Sequence, residues 1–267
     1  MTMKSRVRQF SVIGATFIVA AATTLGAIPA QAAQGGQPIP PASGKVTYVA
    51  LGDSYAAGVG GGDYLDACLT SPNGYAALLA AEPGQVHTEL RGCVGATTSD
   101  VLLTQLGGLD LRTKTVTLTV GANDLGIATL AATCLYGSPE ACLAGVQAAV
   151  AQLPVLTADL VATLAAVREA APKATVYVTG YPLFFDAAPP DSLQFAVNQA
   201  IMALNDAIEA AVTASGAGFV YVDVEPVFAG HGIDSADPWI IAPPDPEAFH
   251  PNAAGYLAYA GAIRAAG

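Results

Sequence analysis

The feature that most constrains this chain is an alternation of short, β-branched apolar runs with longer Ala/Leu-rich stretches of helical spacing. Val46–Leu51, Val116–Val120, Thr175–Thr179 and Phe219–Val222 are apolar runs of strand length, and Gln85–Leu90 is a weaker fifth. Runs of this kind form strands covered on both faces. Helical spacing is expected over Gly74–Ala81, roughly Leu143–Ala170, Leu193–Ser215 and Asn252–Ala265. Strand and helix in turn imply a parallel sheet with right-handed crossovers and helices on both faces. No internal repeat or second hydrophobic pattern asks for another domain.

An open parallel sheet binds its ligands beyond the carboxyl ends of its strands. The segments there read Gly52-Asp53-Ser54-Tyr55, Gly92-Cys93-Val94-Gly95, Gly121-Ala122-Asn123-Asp124 and Gly180-Tyr181-Pro182. Ser54, between Gly52 and the small residues Ala56-Ala57-Gly58, can expose a hydroxyl at a helix start, where a backbone N–H can face a developing oxyanion. A serine in that place also serves as a plain helix cap. It does not stand in a Gly-x-Ser-x-Gly elbow, because position 56 is Ala.

Imidazole chemistry would have to use His87, His231 or His250. His87 falls within an expected strand and His231 in a Gly-rich loop. His250 precedes Pro251 and the capping residue Asn252, so its loop can hold the ring in one place. The amide of Asn123 and the bare backbone N–H of Gly95 are candidate oxyanion donors, although each also suits a turn or cap. Asp53 and Asp124 read as turn or cap carboxylates. Gly58–Gly62 lacks a phosphate-loop ending and reads as a rim beside Ser54.

Residues 1–32 have the layout of a secretory leader: basic Lys4, Arg6 and Arg8, an apolar run from Phe10, and a small-x-small site at Ala30-Gln31-Ala32. A Gly/Pro-rich lead over 33–44 and one domain over 45–267 are expected to follow. Loss of the leader takes three of ten basic residues and no acid, leaving seven against 21 acids and a net charge of −14. Such a product is repelled by nucleic acid and by anionic membranes. Cys68, Cys93, Cys134 and Cys142 match no metal pattern, and their even number in an exported chain predicts two disulfides. Three pairings are open; the expected one is sequential, Cys68–Cys93 and Cys134–Cys142, each closing a local loop in a region that looks irregular.

Taken together, Gly52-Asp53-Ser54-Tyr55, Gly95, Gly121-Ala122-Asn123-Asp124 and His250-Pro251 resemble the four motif blocks of the SGNH (GDSL) hydrolases. Cys93-Val94-Gly95-Ala96-Thr97-Thr98 and Phe249-His250-Pro251-Asn252-Ala253-Ala254-Gly255-Tyr256 are similar to the secreted actinobacterial lipases and esterases of that family. The resemblance implies the SGNH hydrolase fold, a single-domain three-layer α/β/α sandwich with a parallel, flavodoxin-like sheet of about five strands. It also implies Ser54 as nucleophile, His250 as general base, and the N–H groups of Ser54 and Gly95 with the Asn123 amide as the oxyanion hole.

This chain has Glu247 where the family usually places an Asp three residues before the histidine. The ring could be oriented by Glu247, by Asp245 or Asp237, or by a backbone carbonyl. Several secreted relatives resemble one another in a third disulfide near Gly230–Trp239, where this chain has no cysteine and the loop is expected to be looser.

The function expected is a secreted, monomeric lipase or carboxylesterase acting on a small-molecule or lipid ester through an acyl-enzyme. No metal or organic cofactor is implied, and no membrane anchor remains after leader removal. Phe184, Phe185 and Tyr64 are the expected acyl-chain contacts, with core filling the alternative for both phenylalanines. The rival readings are a polysaccharide or cell-wall deacetylase on the same machinery and a non-catalytic surface-binding protein.

Overall fold

The computed structural model describes residues 47–267; the leader and the lead expected at 1–44 lie outside the described residues. Five strands, β1 (Tyr48–Gly52), β2 (Thr88–Leu90), β3 (Thr115–Thr119), β4 (Thr175–Thr179) and β5 (Phe219–Val222), pair in parallel in the order β2-β1-β3-β4-β5. The helices are α1 (Ser54–Ala57), α2 (Tyr75–Ala80), α3 (Thr98–Asp100), α4 (Ile127–Tyr136), α5 (Pro139–Ala170), α6 (Leu193–Ser215), α7 (Glu225–Phe228) and α8 (Ala253–Ala265). α2 packs with α8, while α4, α5 and α6 pack together, which gives the three-layer α/β/α architecture.

The buried strands carry threonines as well as aliphatics, and tyrosines of β1 and of the covering helices explain how. The hydroxyls of Tyr48 and Thr117 meet at 2.9 Å, those of Tyr75 and Thr119 at 2.7 Å, and Tyr259 donates to Thr179 at 2.8 Å. Each of these threonine hydroxyls thus has a partner, so Thr keeps its strand preference without an orphaned polar group. α6 buries Val197, Ile201, Leu204, Ile208 and Val212, spaced three or four residues apart along one stripe.

The structure departs from expectation around the second cysteine pair. Cys68 is joined to Cys93 and Cys134 to Cys142. However, Cys134 and Cys142 stand in α4 and in the first turn of α5, not in irregular chain. α5 starts at Pro139, with Ser138 accepting the N–H of Ala141 at 3.2 Å. A capping Ser followed by Pro is a start signal that reading the segment as a cystine loop passes over. His87 lies just ahead of β2, at φ +57°, rather than within a strand.

The 230–239 loop, where a cystine is missing, is stitched by other means. Ile233 donates to Phe184 O at 2.7 Å, Asp186 to Ile233 O at 3.0 Å and Trp239 to His231 O at 2.7 Å. The rings of His231 and Trp239 stack at 3.5 Å.

In the order β2-β1-β3, the chain leaves β1 in one direction to form β2 and returns to its other side to form β3. The crevice of a doubly wound sheet opens at that reversal, beyond the ends of β1 and β3. Ser54 follows β1 and Asn123 follows β3, so both stand at its mouth.

Candidate active site

Ser54 is placed by the central strand. Asp53 caps α1, its Oδ1 accepting the N–H of Tyr55 at 2.9 Å. Gly52 lies at φ +128° so close to β3 that a Cβ there would stand 2.0 Å from Thr119 O. Both polar groups of Gly52 are engaged by the Gln105 amide, at 2.7 and 2.8 Å. The turn that carries the serine is therefore held on every side and only 6% of Ser54 is exposed.

His250 reaches it from the loop before α8. Its Nε2 lies 2.8 Å from Ser54 Oγ. Its Nδ1 lies 3.1 Å from the backbone carbonyls of both Glu247 and Ala248. Carbonyls only accept, so the ring carries its proton on Nδ1 and leaves Nε2 to accept the serine O–H. The site thus presents a hydroxyl donating to a neutral imidazole, the pairing that activates a serine. Burial pushes the His250 pKa down, and the two carbonyl contacts oppose that shift.

The ring is therefore held by the main chain of residues 247 and 248: of the orienters left open by the sequence, backbone carbonyls meet Nδ1, and the Glu247 carboxylate does not. The 245–250 turn, closed by Ala248 N to Asp245 O at 3.0 Å and His250 N to Glu247 O at 3.3 Å, aims its carbonyls inward. Asp245 accepts the Glu247 N–H at 2.8 Å, and Asp237 lies against His231 and Trp239. Among the described residues, neither fallback carboxylate touches His250.

Asn123 donates from Nδ2 to Ala96 O at 2.9 Å, which ties the segment after β3 to the one after β2. Asp124 makes a second tie, accepting from Thr98 Oγ1 at 2.6 Å. Gly95, at φ +78°, sits on an open rim with nothing within 4 Å of where a Cβ would lie. The Cys68–Cys93 bond and Val94 N to Cys68 O at 3.1 Å hold that rim.

A narrow cavity of about 30 Å³ opens beside Ser54, Asn123 and His250 and is walled by Ile127, Phe184, Ile201 and Leu204. Phe184 is thus both core and cavity wall, stacked on Phe249 at 5.0 Å. Gly95 is outside this lining. Phe185 lines a separate cavity of about 530 Å³ beside α6 and α7. Tyr64 accepts the Gly60 N–H at 2.8 Å and does not reach the cavity. Those two expected contacts are corrected: adjacent residues point apart, and the Gly-rich turn uses Tyr64 to close on itself.

Three aromatic side chains matter that motif reading passes over. Tyr55 donates to Phe249 O at 2.6 Å, strapping the residue after the serine to the residue before the histidine. Tyr181 donates to Asp53 Oδ2 at 2.5 Å and accepts from Ala122 N at 3.2 Å, joining the ends of β1, β3 and β4. Phe249 itself holds φ +69°, a strained value for such a side chain. Burial raises the Asp53 pKa to about 7, partly offset by the Tyr181 and Tyr55 hydrogen bonds. The strand-end position of Tyr181 was the available signal for it.

A doubly wound sheet bearing a serine–imidazole pair at its switch point, with amide donors on neighbouring strand ends, defines a serine-hydrolase type of site. The chain matches the model of the GDSL-like Lipase/Acylhydrolase family over residues 50–258 and belongs to that family. It is 35% identical over 263 residues to Lipase 1 of Streptomyces coelicolor, covering 93% of this chain and 95% of that relative. Among solved structures, the extracellular lipase of Streptomyces rimosus aligns with a TM-score of 0.78 at 34% identity, over 83% of this chain and 100% of the other. Phospholipase A1 of Streptomyces albidoflavus aligns with a TM-score of 0.78 at 35% identity, over 84% and 100%. By family and relatives the protein is a carboxylic ester hydrolase of the lipase/acylhydrolase type.

Proposed function

We propose that Ser54 is the nucleophile and His250 the general base of a two-step acyl transfer. The observation that carries this reading is the 2.8 Å contact from Ser54 Oγ to a ring nitrogen left free to accept. The Ser54 proton passes to Nε2 as Oγ attacks the ester carbonyl. The N–H groups of Ser54 and Gly95 and the Asn123 amide hold the oxyanion; losing one such donor costs about 10²–10³ in turnover. The tetrahedral intermediate collapses, Nε2 returns the proton to the departing alcohol, and water activated by the same ring releases the acid. The carbonyl dipoles of Glu247 and Ala248 stabilise the transient imidazolium where other hydrolases use a carboxylate.

Lipid acyl esters are the proposed substrates, supported by relatives described as a lipase and a phospholipase A1. Export follows from residues 1–32, supported by their basic, apolar and small-residue order and by the two disulfides.

A fluorophosphonate probe followed by peptide mass mapping tests the mechanism. The expected outcome is a single adduct on Ser54, with turnover abolished by Ser54→Ala. An adduct on another residue, or turnover surviving Ser54→Ala, overturns the assignment.

A further inference from the structure

A second concavity meets the site on the histidine side. It measures about 560 Å³ and runs between α4 and the 243–248 loop. One wall is Ala128, Ala132 and Tyr136, four residues apart and hence on one face of α4; the other is Pro243, Pro244 and Pro246. Ala128, Phe249 and His250 line both this groove and the narrow cavity at Ser54, so the two adjoin at the imidazole. Its one charged lining residue is Asp245, and Tyr136 stands 70% exposed at the far end.

The chemistry decides which half of an ester lies here. When the C–O bond breaks, the leaving oxygen must take back the proton held on His250 Nε2. The alcohol therefore lies on the imidazole side of the carbonyl carbon, where the groove of about 560 Å³ has room for a chain and the cavity of about 30 Å³ does not. We propose that the groove between α4 and the 243–248 loop holds the apolar chain of the departing alcohol. This rests on the assignment of Ser54 and His250 above.

The groove also sets a length. From Ala128 to Tyr136 the helix makes eight rises, about 12 Å at ~1.5 Å per residue. An extended alkyl chain advances about 1.3 Å per carbon, from ~1.5 Å C–C bonds in a zigzag. About eight to ten carbons fill it.

Two ester series test the proposal: butyrates of methanol through dodecanol, and ethyl esters of acetate through decanoate. In the alcohol series kcat/KM is expected to rise to about eight to ten carbons and then level. Ala132→Trp, which fills the middle of the groove, lowers the octyl-to-methyl butyrate ratio about tenfold or more, the scale of a methylene denied its pocket, and the ethyl-ester series keeps its shape. Tyr136→Ala removes only the gain beyond about hexyl, and it decides alone if Ala132→Trp does not fold. A flat alcohol series in the unaltered protein overturns the proposal, as does a change confined to the acyl series. Probe labelling separates the two layers: Ser54 labelled with a flat alcohol series sinks the groove alone, whereas turnover by Ser54→Ala sinks the mechanism beneath it.

Discussion

The two partners of the 2.8 Å contact reach it by different routes. Ser54 rides on the end of the central strand, where Gly52 is pressed against Thr119 and clamped by Gln105. His250 rides on a loop outside the sheet, held by its own turn, by the Ile241 pairing (2.9 Å from Phe249 N to Ile241 O) and by the Tyr55 strap. Phe249 at φ +69° marks backbone strain in the second region, at the residue before His250. The difference teaches that damage on the serine side should show as lost folding, whereas damage on the histidine side should show as lost turnover in a folded protein.

Gly52→Ala gives the largest expected effect and probes the first half of the comparison. Its Cβ would meet backbone at 2.0 Å in a left-handed conformation, so chemical denaturation should show a loss of more than about 3 kcal/mol or no folded protein at all. A stable, inactive Gly52→Ala would break the contrast.

Tyr55→Phe probes the second half. It removes the hydroxyl from Phe249 O and leaves a buried carbonyl unpaired, a cost of about 1–3 kcal/mol. Release of the strap should lower kcat about tenfold with KM little changed, because small misplacements of a catalytic group are costly. Stability loss with turnover intact would show that the strap does not position the base.

Glu247→Gln has the smallest expected effect. The carbonyl, not the carboxylate, meets Nδ1, so kcat should stay within about threefold of the parent. Because burial lowers the His250 pKa, the neutral base already predominates at pH 6.5, and the acid limb of kcat/KM lies below that value. Removing the nearby negative charge takes away a contribution that raises the pKa, so the limb should move slightly lower still. A loss of 10³ or more would restore the carboxylate as orienter.

Much of this was legible in the chain. β4, β5 and α6 have the bounds that their apolar runs suggest. β2 is shorter than its run and α4 went unread, because a short Ala/Thr segment holding a cysteine gives a weak helical signal. The serine, asparagine and histidine were readable because each sits where strand or cap chemistry punctuates the pattern. The orienter of His250 stayed open because a sequence shows side chains, whereas the group that meets the ring belongs to the backbone.

Local pattern by itself determined the layers, the strand ends and the residue types available there, since periodicity and capping are properties of near neighbours. Only the tertiary structure decided what lies between those ends: that Phe184 walls the cavity while Phe185 turns away, that Tyr55 reaches Phe249 across 194 positions, and that a groove along α4 meets His250. Those contacts join segments remote in sequence, and their geometry depends on side-chain direction and backbone strain that no local spacing encodes.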